Sequence, residues 1–190
     1  MNGDHWVYFN RALDLDWCDY IVKYCSENYQ PRDAVIGFED SKQDHSYRKS
    51  EIRWLNPKIE NAITDEIWHY ANQANRDAFD LDIKYVNEIQ FTKYEGNPNN
   101  PGKYEWHHDV DWQENRAFHR KLSIVFQLSD RKDYEGGVFE FDPTIPQLPE
   151  DALEKGSVIV FPSFHRHRVT SVTSGVRHSL VTWVEGSHWR

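Results

Sequence analysis

The chain has 190 residues, with 22 Lys and Arg against 31 Asp and Glu, so its formal net charge is −9 when His is neutral. Hydrophobic residues make up 38% and aromatic residues 15% of the chain, which excludes a disordered polymer and favours one folded domain. The acidic balance argues against a protein whose main role is to bind nucleic-acid phosphates, because that binding needs clustered Lys and Arg.

The chain contains no apolar run of about 18 residues and no basic segment followed by an apolar one at its start, MNGDHWVYFN. We therefore predict neither a membrane span nor a signal peptide, and we expect a cytoplasmic protein. Cys18 and Cys25 lie seven positions apart in a helical pattern. This spacing favours two buried thiols over a disulfide framework.

The first 80 residues predict a short strand and two helices. The aromatic segment from His5 to Phe9 is typical of a strand, and Asp14 can cap a helix over about residues 15–29. Asn56 and Pro57 indicate the start of a second helix. Its apolar face is predicted to contain Ile59, Ile63, Ile67, Tyr70, Ala71 and Ala74.

Beyond residue 82 the pattern changes to short β-prone runs bounded by Gly, Pro, Asn or Asp. Two helices followed by seven or eight strands predict a mainly β fold, a jelly roll or double-stranded β-helix, with the helices packed on the outer face of one sheet. We expect a single domain over residues 1–190, with a helical support at 1–80 and the jelly-roll core at 81–190. The runs are IKYVNEIQFTKY, YEWHHDV, KLSIVFQL, GVFEF, GSVIVF, HRVTSV and RHSLVTWV.

The sequence His107-His108-Asp109 carries the first half of a candidate metal site. Side chains two apart on a strand point to the same face, so His107 and Asp109 can converge while His108 faces away. One imidazole, one carboxylate and a distant histidine make the facial triad that binds Fe(II) and leaves positions open.

The second half lies about 60 residues later, where His165 and His167 precede a Thr173-Ser174-Gly175 turn and Arg177 follows it. If that turn closes a hairpin, Arg177 lies opposite Ser171 and faces the same cavity as His167. The planar guanidinium of Arg177 suits a carboxylate. His165 and His167 share strand parity, so alternation alone does not choose between them.

An ordered set of motifs resembles the Fe(II)/2-oxoglutarate-dependent dioxygenases of the prolyl 4-hydroxylase type, most closely the bacterial and phage group of PKHD-type hydroxylases. The set is HHD at 107–109, YEGG at 134–137, FPS at 161–163, His167, and Arg177 ten residues later. The resemblance covers about residues 85–185. It implies that His107, Asp109 and His167 bind iron and that Arg177 binds the distal carboxylate of 2-oxoglutarate, with O2 as the other cosubstrate.

The resemblance extends to further cofactor positions. Tyr94 matches a family tyrosine that lines the 2-oxoglutarate pocket, or is a packed strand aromatic. Ser123 and Gln127 alternate onto one strand face and are expected to hydrogen-bond the cosubstrate. Trp183 corresponds to a family aromatic near the site, or to core. Val138 stands where the family commonly has Glu, which bears on the class of substrate.

The reaction that this resemblance implies is hydroxylation of a prolyl residue in a peptide or protein, with succinate and CO2 as products. The alternatives are hydroxylation of a free amino acid or small metabolite, and a non-catalytic cupin-like metal sensor. Such a sensor does not need Arg177. A nucleic-acid demethylase is disfavoured by the acidic charge and by the absence of an arginine between Arg177 and Arg190.

Substrate contacts are predicted at the aromatic residues that flank the iron motif, Trp106 and Trp112, or these residues fill the core. The loop at 96–102 is either a lid or an ordinary strand connection. The segment 38–53 brings Arg48, Lys49 and Arg53 together in sequence. It is either a contact for an acidic or terminal carboxylate group or a solvated surface. Oligomeric state is left open.

Overall fold

The computed structural model describes residues 5–34, 44–110, 112 and 117–189. Helix α1 spans Leu15–Asn28, close to the predicted bounds. It begins at Asp14, whose side chain accepts hydrogen bonds from the backbone N–H groups of Asp16 and Trp17 at 2.8 and 3.1 Å. This cap satisfies two N–H groups that have no partner inside the helix, which is why the helix begins there.

Helix α2 spans Asn61–Ala74 and continues into a π-helical turn at Asn75–Phe79. The start predicted at Asn56 and Pro57 is therefore too early. The carbonyl of Asn56 instead accepts bonds from the N–H groups of Ile59 and Glu60 in a separate turn. Ile59 is 69% exposed and is absent from the apolar face, whereas the other five predicted face residues are buried.

Eleven strands lie within the described residues, and they form two sheets that share one strand. The larger sheet has the order β1-β10-β7-β11-β5-β4-β2, and the smaller one joins β3, β6, β8 and β9 to β11. The strands are β1 (Val7–Phe9), β2 (Arg32–Asp33), β3 (Arg48–Lys49), β4 (Glu51–Leu55), β5 (Ile83–Glu95), β6 (Gly102–His107), β7 (His119–Gln127), β8 (Tyr134–Gly136), β9 (Phe139–Phe141), β10 (Val158–Pro162) and β11 (His167–Gly186).

Alternation along β7 divides the core between the two faces of the larger sheet. Leu122, Ile124 and Phe126 pack on one face with the buried residues of α1 and α2. Ser123 and Val125 point to the opposite face, toward the smaller sheet. The predicted mainly β fold, with helices on the outer face of one sheet, is confirmed, and the inner face remains available for a site.

The predicted hairpin around Thr173-Ser174-Gly175 is wrong, because β11 runs through this segment as one continuous strand. Residues 167–175 pair with β6, β8 and β9, whereas residues 176–186 pair with β5 and β7. The two halves therefore do not pair with each other, and Arg177 is not opposite Ser171. The turn residues instead mark the point where one strand passes from the smaller sheet to the larger.

Gly175 occupies this crossing point with a φ of +72°, in the left-handed region that favours glycine. A Cβ atom there would lie 1.9 Å from the carbonyl oxygen of Asp133 and 2.8 Å from Cα of Tyr134. Both the backbone conformation and the packing therefore require glycine where the strand changes sheets.

The N-terminal 80 residues contribute strands β1–β4 to the sheets as well as the two helices. Both cysteines are free and buried, as predicted. Burial raises the pKa of Cys18 to about 11 and that of Cys25 to about 12, so neither thiol is readily ionised. Within the described ranges, no helix has both the length and the apolar character that a membrane crossing requires.

We predict that Gly175→Ala destabilises the protein by more than about 2 kcal/mol, because the new Cβ would overlap the backbone of Asp133 and Tyr134 and the positive φ disfavours any side chain. Urea denaturation monitored by tryptophan fluorescence measures this as a lower midpoint. Ser174→Ala at the exposed neighbouring position is the control and should leave the midpoint unchanged. An equal midpoint for both variants would show that the crossing tolerates a side chain.

Candidate functional site

Three side chains converge between the two sheets. His107 ends β6, Asp109 follows two residues later, and His167 begins β11 directly opposite His107 in the strand register. One ligand atom from each of the three lies within 4.8 Å of the others. The Nε2 atoms of His107 and His167 lie 3.7 and 3.6 Å from the two carboxylate oxygens of Asp109. One metal ion can contact all three side chains.

Hydrogen bonds orient each of these three side chains. Nδ1 of His107 lies 2.8 Å from the carbonyl oxygen of Glu105, and Nδ1 of His167 lies 2.9 Å from that of His165. These carbonyls accept only from a protonated Nδ1, so both Nε2 lone pairs face Asp109. The hydroxyl of Ser123 donates to Asp109 at 2.7 Å. Such outer partners are typical of metal sites, and the donor set fits a divalent transition metal.

The electrostatics of the cluster favour metal-binding protonation states. Burial, followed by the proximity of His167, holds the pKa of His107 well below its usual value. Burial alone would raise the pKa of Asp109, but His167, His107 and Arg120 together lower it to about 2. A neutral imidazole and an ionised carboxylate are the forms that bind metal, so protons compete weakly near neutral pH.

The other two histidines of the motifs lie apart from this cluster. The ring of His165 lies 5.5 Å from that of His5, and its Nε2 has no hydrogen-bond partner among the described residues. His108 is exposed and packs edge-on against Trp112. The structure therefore brings His167, and not His165, beside His107 and Asp109.

A cavity of about 550 Å³ opens from the three side chains along the inner face of the larger sheet. Arg177 lies at one end, only 2% exposed. Its guanidinium donates to Oε1 of Gln127 at 2.9 Å and is 3.4 Å from the hydroxyl of Ser179. No carboxylate pairs with it within the described ranges, and Nε2 of Gln127 lacks a partner there. A buried guanidinium without a carboxylate partner suits a ligand carboxylate. Gln127 does not line the cavity, which corrects its expected role from cosubstrate contact to support of Arg177.

Two further predicted cofactor residues have different positions. Tyr94 is opposite Arg177 in the register of β5 and β11, and the guanidinium carbon of Arg177 lies 5.4 Å from its ring centre. Tyr94 lines the cavity. Ser123 does not line it, because its hydroxyl is directed at Asp109 and lies 2.9 Å from that of Ser163. We therefore correct its expected role from cosubstrate contact to support of the carboxylate.

The three tryptophans predicted as substrate contacts also differ. Trp106 lines the cavity, with the guanidinium of Arg168 4.6 Å from its ring. Trp183 lines it as well, and its indole N–H has no partner within the described ranges. Trp112 is 52% exposed and is not part of the lining. Its position outside the cavity corrects the prediction, because it lies beyond the end of β6 and faces solvent.

Several residues that line the cavity were not predicted from the sequence, and some predicted contact residues lie elsewhere. Trp54, Glu88 and Arg120 line the cavity. The alternating pattern of β5 could have indicated Glu88, whereas β4 is too short for its pattern to be read. Arg48 and Lys49 do not form a basic cluster with Arg53, because Arg53 contacts the carbonyl of Tyr29 while Arg48 lies in the cavity. Part of the segment 38–53 lies outside the described residues.

Residues 89–185, just over half of the chain, match the family model of the 2OG-Fe(II) oxygenase superfamily. A PKHD-type hydroxylase from Aliarcobacter butzleri (strain RM4018) is 33% identical over 114 residues, which cover 56% of this chain and 48% of that protein. A PKHD-type hydroxylase from Rippkaea orientalis is 27% identical over 150 residues, covering 72% and 65%. The aligned part thus spans less than two thirds of these relatives.

Solved structures share the fold over nearly the whole chain. A viral collagen prolyl hydroxylase from Paramecium Bursaria Chlorella virus-1, solved with 2OG, has a TM-score of 0.68 at 17% identity and covers 97% of this chain and 98% of its own. A Pseudomonas putida prolyl-4-hydroxylase has a TM-score of 0.68 at 20% identity, covering 97% and 94%. At these identities the likeness establishes the fold.

We predict that His167→Ala weakens Fe(II) binding by at least about a hundredfold, since loss of a ligand's hydrogen-bond partner alone costs about 10- to 100-fold. Anaerobic calorimetric titration with Fe(II) measures the affinity. His165→Ala, which removes an equal ring two residues away, is the matched control and should bind Fe(II) like the wild type. Similar losses in both variants would contradict the assignment.

We predict that Arg177→Gln raises the dissociation constant for 2-oxoglutarate by roughly 10- to 100-fold, because charge-assisted hydrogen bonds to a carboxylate are lost. Titration of 2-oxoglutarate into the Fe(II)-loaded protein without O2 measures this constant. Fe(II) affinity should stay unchanged, since Arg177 contacts none of the three metal-binding candidates. An unchanged affinity for 2-oxoglutarate would place its distal carboxylate elsewhere.

Proposed function

Because the chain belongs to the 2OG-Fe(II) oxygenase superfamily, we propose that it is an Fe(II)- and 2-oxoglutarate-dependent hydroxylase that acts on a prolyl residue of a peptide or protein. The observation that carries the proposal is the presence of two complementary sites in one cavity. His107, Asp109 and His167 offer mixed N and O ligands, and Arg177 offers a buried fork for a carboxylate.

The residues around the metal cluster hold its ligands in place. The carbonyls of Glu105 and His165 fix both imidazoles, and Ser123 holds one oxygen of Asp109. Three protein ligands would leave room at a bound metal for the cosubstrate and O2. With Fe(II) bound, O2 would be the oxidant: conversion of 2-oxoglutarate to succinate and CO2 takes up one oxygen atom, and the other would enter a C–H bond of the substrate. No described side chain needs to act as an acid or base.

Arg177 and its neighbours orient the cosubstrate. The guanidinium donates to the distal carboxylate, and Gln127, which does not line the cavity, orients the guanidinium through its Oε1. Tyr94 provides one wall of this end. Val125 and Val181 make the adjoining lining apolar, which excludes water from the carbon chain between the two polar ends.

A prolyl substrate is supported by the relatives and by the lining of the cavity mouth. The aligned relatives are named PKHD-type hydroxylases, and a Trichoplax adhaerens prolyl hydroxylase with a TM-score of 0.70 at 14% identity was solved with a hypoxia inducible factor peptide. Trp54, Trp106 and Trp183 provide flat apolar surfaces for a pyrrolidine ring.

A free amino acid or small metabolite is the second candidate substrate. The cavity of about 550 Å³ is large enough for both 2-oxoglutarate and a small molecule. A non-catalytic metal sensor is the third reading, and it does not account for a guanidinium that is only 2% exposed beside the cavity. In the proposed hydroxylase, Arg177 binds the distal carboxylate of 2-oxoglutarate.

We predict that the protein converts 2-oxoglutarate to succinate in the presence of Fe(II), O2 and a proline-containing peptide, and that the peptide gains one oxygen atom. Mass spectrometry of the peptide and quantification of succinate measure the two products, which should form in equal amounts. Asp109→Ala removes one of the three metal-binding candidates and should abolish both products.

Two results would redirect the proposal. Turnover with free amino acids but with no peptide would favour the small-molecule hydroxylase. Binding of Fe(II) without binding of 2-oxoglutarate would favour the sensor.

A further inference from the structure

Arg48 is a buried arginine in the cavity that the proposed chemistry does not use. It lies on β3, opposite Tyr104 of β6 in the smaller sheet, and is only 7% exposed. After Ser50 the chain enters β4 of the larger sheet, so Arg48 stands where the two sheets are joined. Its side chain lines the cavity from this side.

The described partners of the Arg48 guanidinium are all neutral. Nη2 donates to Oε1 of Gln90 at 3.2 Å, and Nε is 3.3 Å from the hydroxyl of Ser50. The guanidinium carbon lies 4.2 Å from the centre of the Tyr104 ring. No carboxylate within the described ranges forms an ion pair with Arg48. A buried positive charge with neutral partners is costly unless a ligand supplies the anion.

Apart from Arg177, which the proposed function assigns to 2-oxoglutarate, the other charged groups of the lining are already matched. Arg120 pairs with Glu88 at 2.9 Å, and Arg166 pairs with Asp142 at 3.5 Å. Asp109 belongs to the metal cluster. In a chain of net charge −9, this lining contains four arginines and two carboxylates, so it favours anions. The lining arginines are Arg48, Arg120, Arg166 and Arg177, and the carboxylates are Glu88 and Asp109.

The position of Arg48 places it near the metal cluster. Tyr104 lies between them: its ring centre is 4.2 Å from the Arg48 guanidinium carbon and 3.5 Å from the centre of the His107 ring. The distance from the guanidinium carbon to the centre of the His107 ring is therefore at most the sum of these two distances. A group bound by Arg48 would therefore lie near His107.

We propose that Arg48 recognises a carboxylate of the hydroxylated substrate, carried on the target residue or on its immediate neighbour. This inference rests on the proposed function, which assigns the second buried guanidinium, Arg177, to 2-oxoglutarate. The substrate then carries a carboxylate at or beside the target residue: a free amino acid, a peptide that ends at the target residue, or a peptide with an acidic residue next to it. All three present the same planar anion to the guanidinium fork.

A structural role is the competing explanation of Arg48. The guanidinium packs on Tyr104, which packs on His107, so loss of Arg48 could disturb a metal ligand without any contact to substrate. This role predicts weaker Fe(II) binding in an Arg48 variant and equal effects on every substrate. Recognition of a carboxylate predicts an effect that depends on the charge of the substrate.

The test compares Arg48→Gln with the wild type on matched acid and amide compounds. The pairs are free proline and prolinamide, a peptide that ends in proline with a free or amidated C-terminus, and a peptide with Asp or Asn after an internal proline. Quenching of tryptophan fluorescence measures binding to protein loaded with Mn(II) and 2-oxoglutarate without O2, because Trp54, Trp106 and Trp183 line the cavity.

We expect the wild type to bind the acid member of at least one pair about 10- to 100-fold more tightly than its amide, as charge-assisted hydrogen bonds allow. The pair that shows this preference identifies the source of the carboxylate. Arg48→Gln should bind the acid and the amide equally, and its affinity for the amide should match the wild type. Lys49→Gln, whose parent lysine contacts the carbonyl of Asn100 outside the cavity, should keep the preference.

The proposal is wrong if the wild type shows no preference for any acid member, or if Arg48→Gln retains the preference. It is also wrong if Arg48→Gln weakens 2-oxoglutarate binding as strongly as Arg177→Gln does, since Arg48 would then serve the cosubstrate. Failure of the proposed function is separate, because it appears as an absence of succinate and oxygenated product while the binding preference persists.

Discussion

The site depends on the continuity of β11 across the two sheets. The pairing of His167 with His107 fixes the first residue of this strand, and the pairing of Arg177 with Tyr94 fixes its middle. Gly175 allows the bend between them without a break in the strand. His167 and Arg177 lie on one continuous strand. The distance between the metal cluster and the guanidinium of Arg177 is therefore set by how this strand pairs with its neighbours in both sheets. Movement of one sheet relative to the other would change the distance between His167 and Arg177.

The cavity contains two buried guanidiniums that bond to neutral groups, Arg177 near Gln127 and Arg48 near Gln90. Each lies against an amide oxygen, which keeps the guanidinium oriented but does not neutralise its charge. Such charges lower the stability of the protein and strengthen its interaction with anions. This arrangement explains why a chain with an excess of carboxylates places so few of them in this lining.

Local patterns in the sequence predicted the helix at Leu15–Asn28 and the strands after residue 82, because capping and alternation are local properties. Strand parity predicted that His107 and Asp109 converge, although β6 ends at His107 and Asp109 lies beyond it. The choice of His167 over His165 needed the family spacing. The hairpin prediction was wrong because the same residue types occur in hairpin turns and at bends within one strand. Arg48 lies on a strand of only two residues, and its side chain faces the cavity because the two sheets meet there. No local sequence pattern encodes that contact.

The division of the cavity between two parts of the chain explains why family membership leaves the substrate open. The family model matches residues 89–185, which contain the metal cluster, Tyr94 and Arg177. Arg48 and Trp54 come from strands before this region, yet they line the same cavity. Under the proposed function, the matched region supplies the residues for iron and 2-oxoglutarate, and the segment before it supplies part of the surface that meets the substrate. A match to the family model therefore does not define the whole lining of the cavity, and the shared chemistry does not define the substrate.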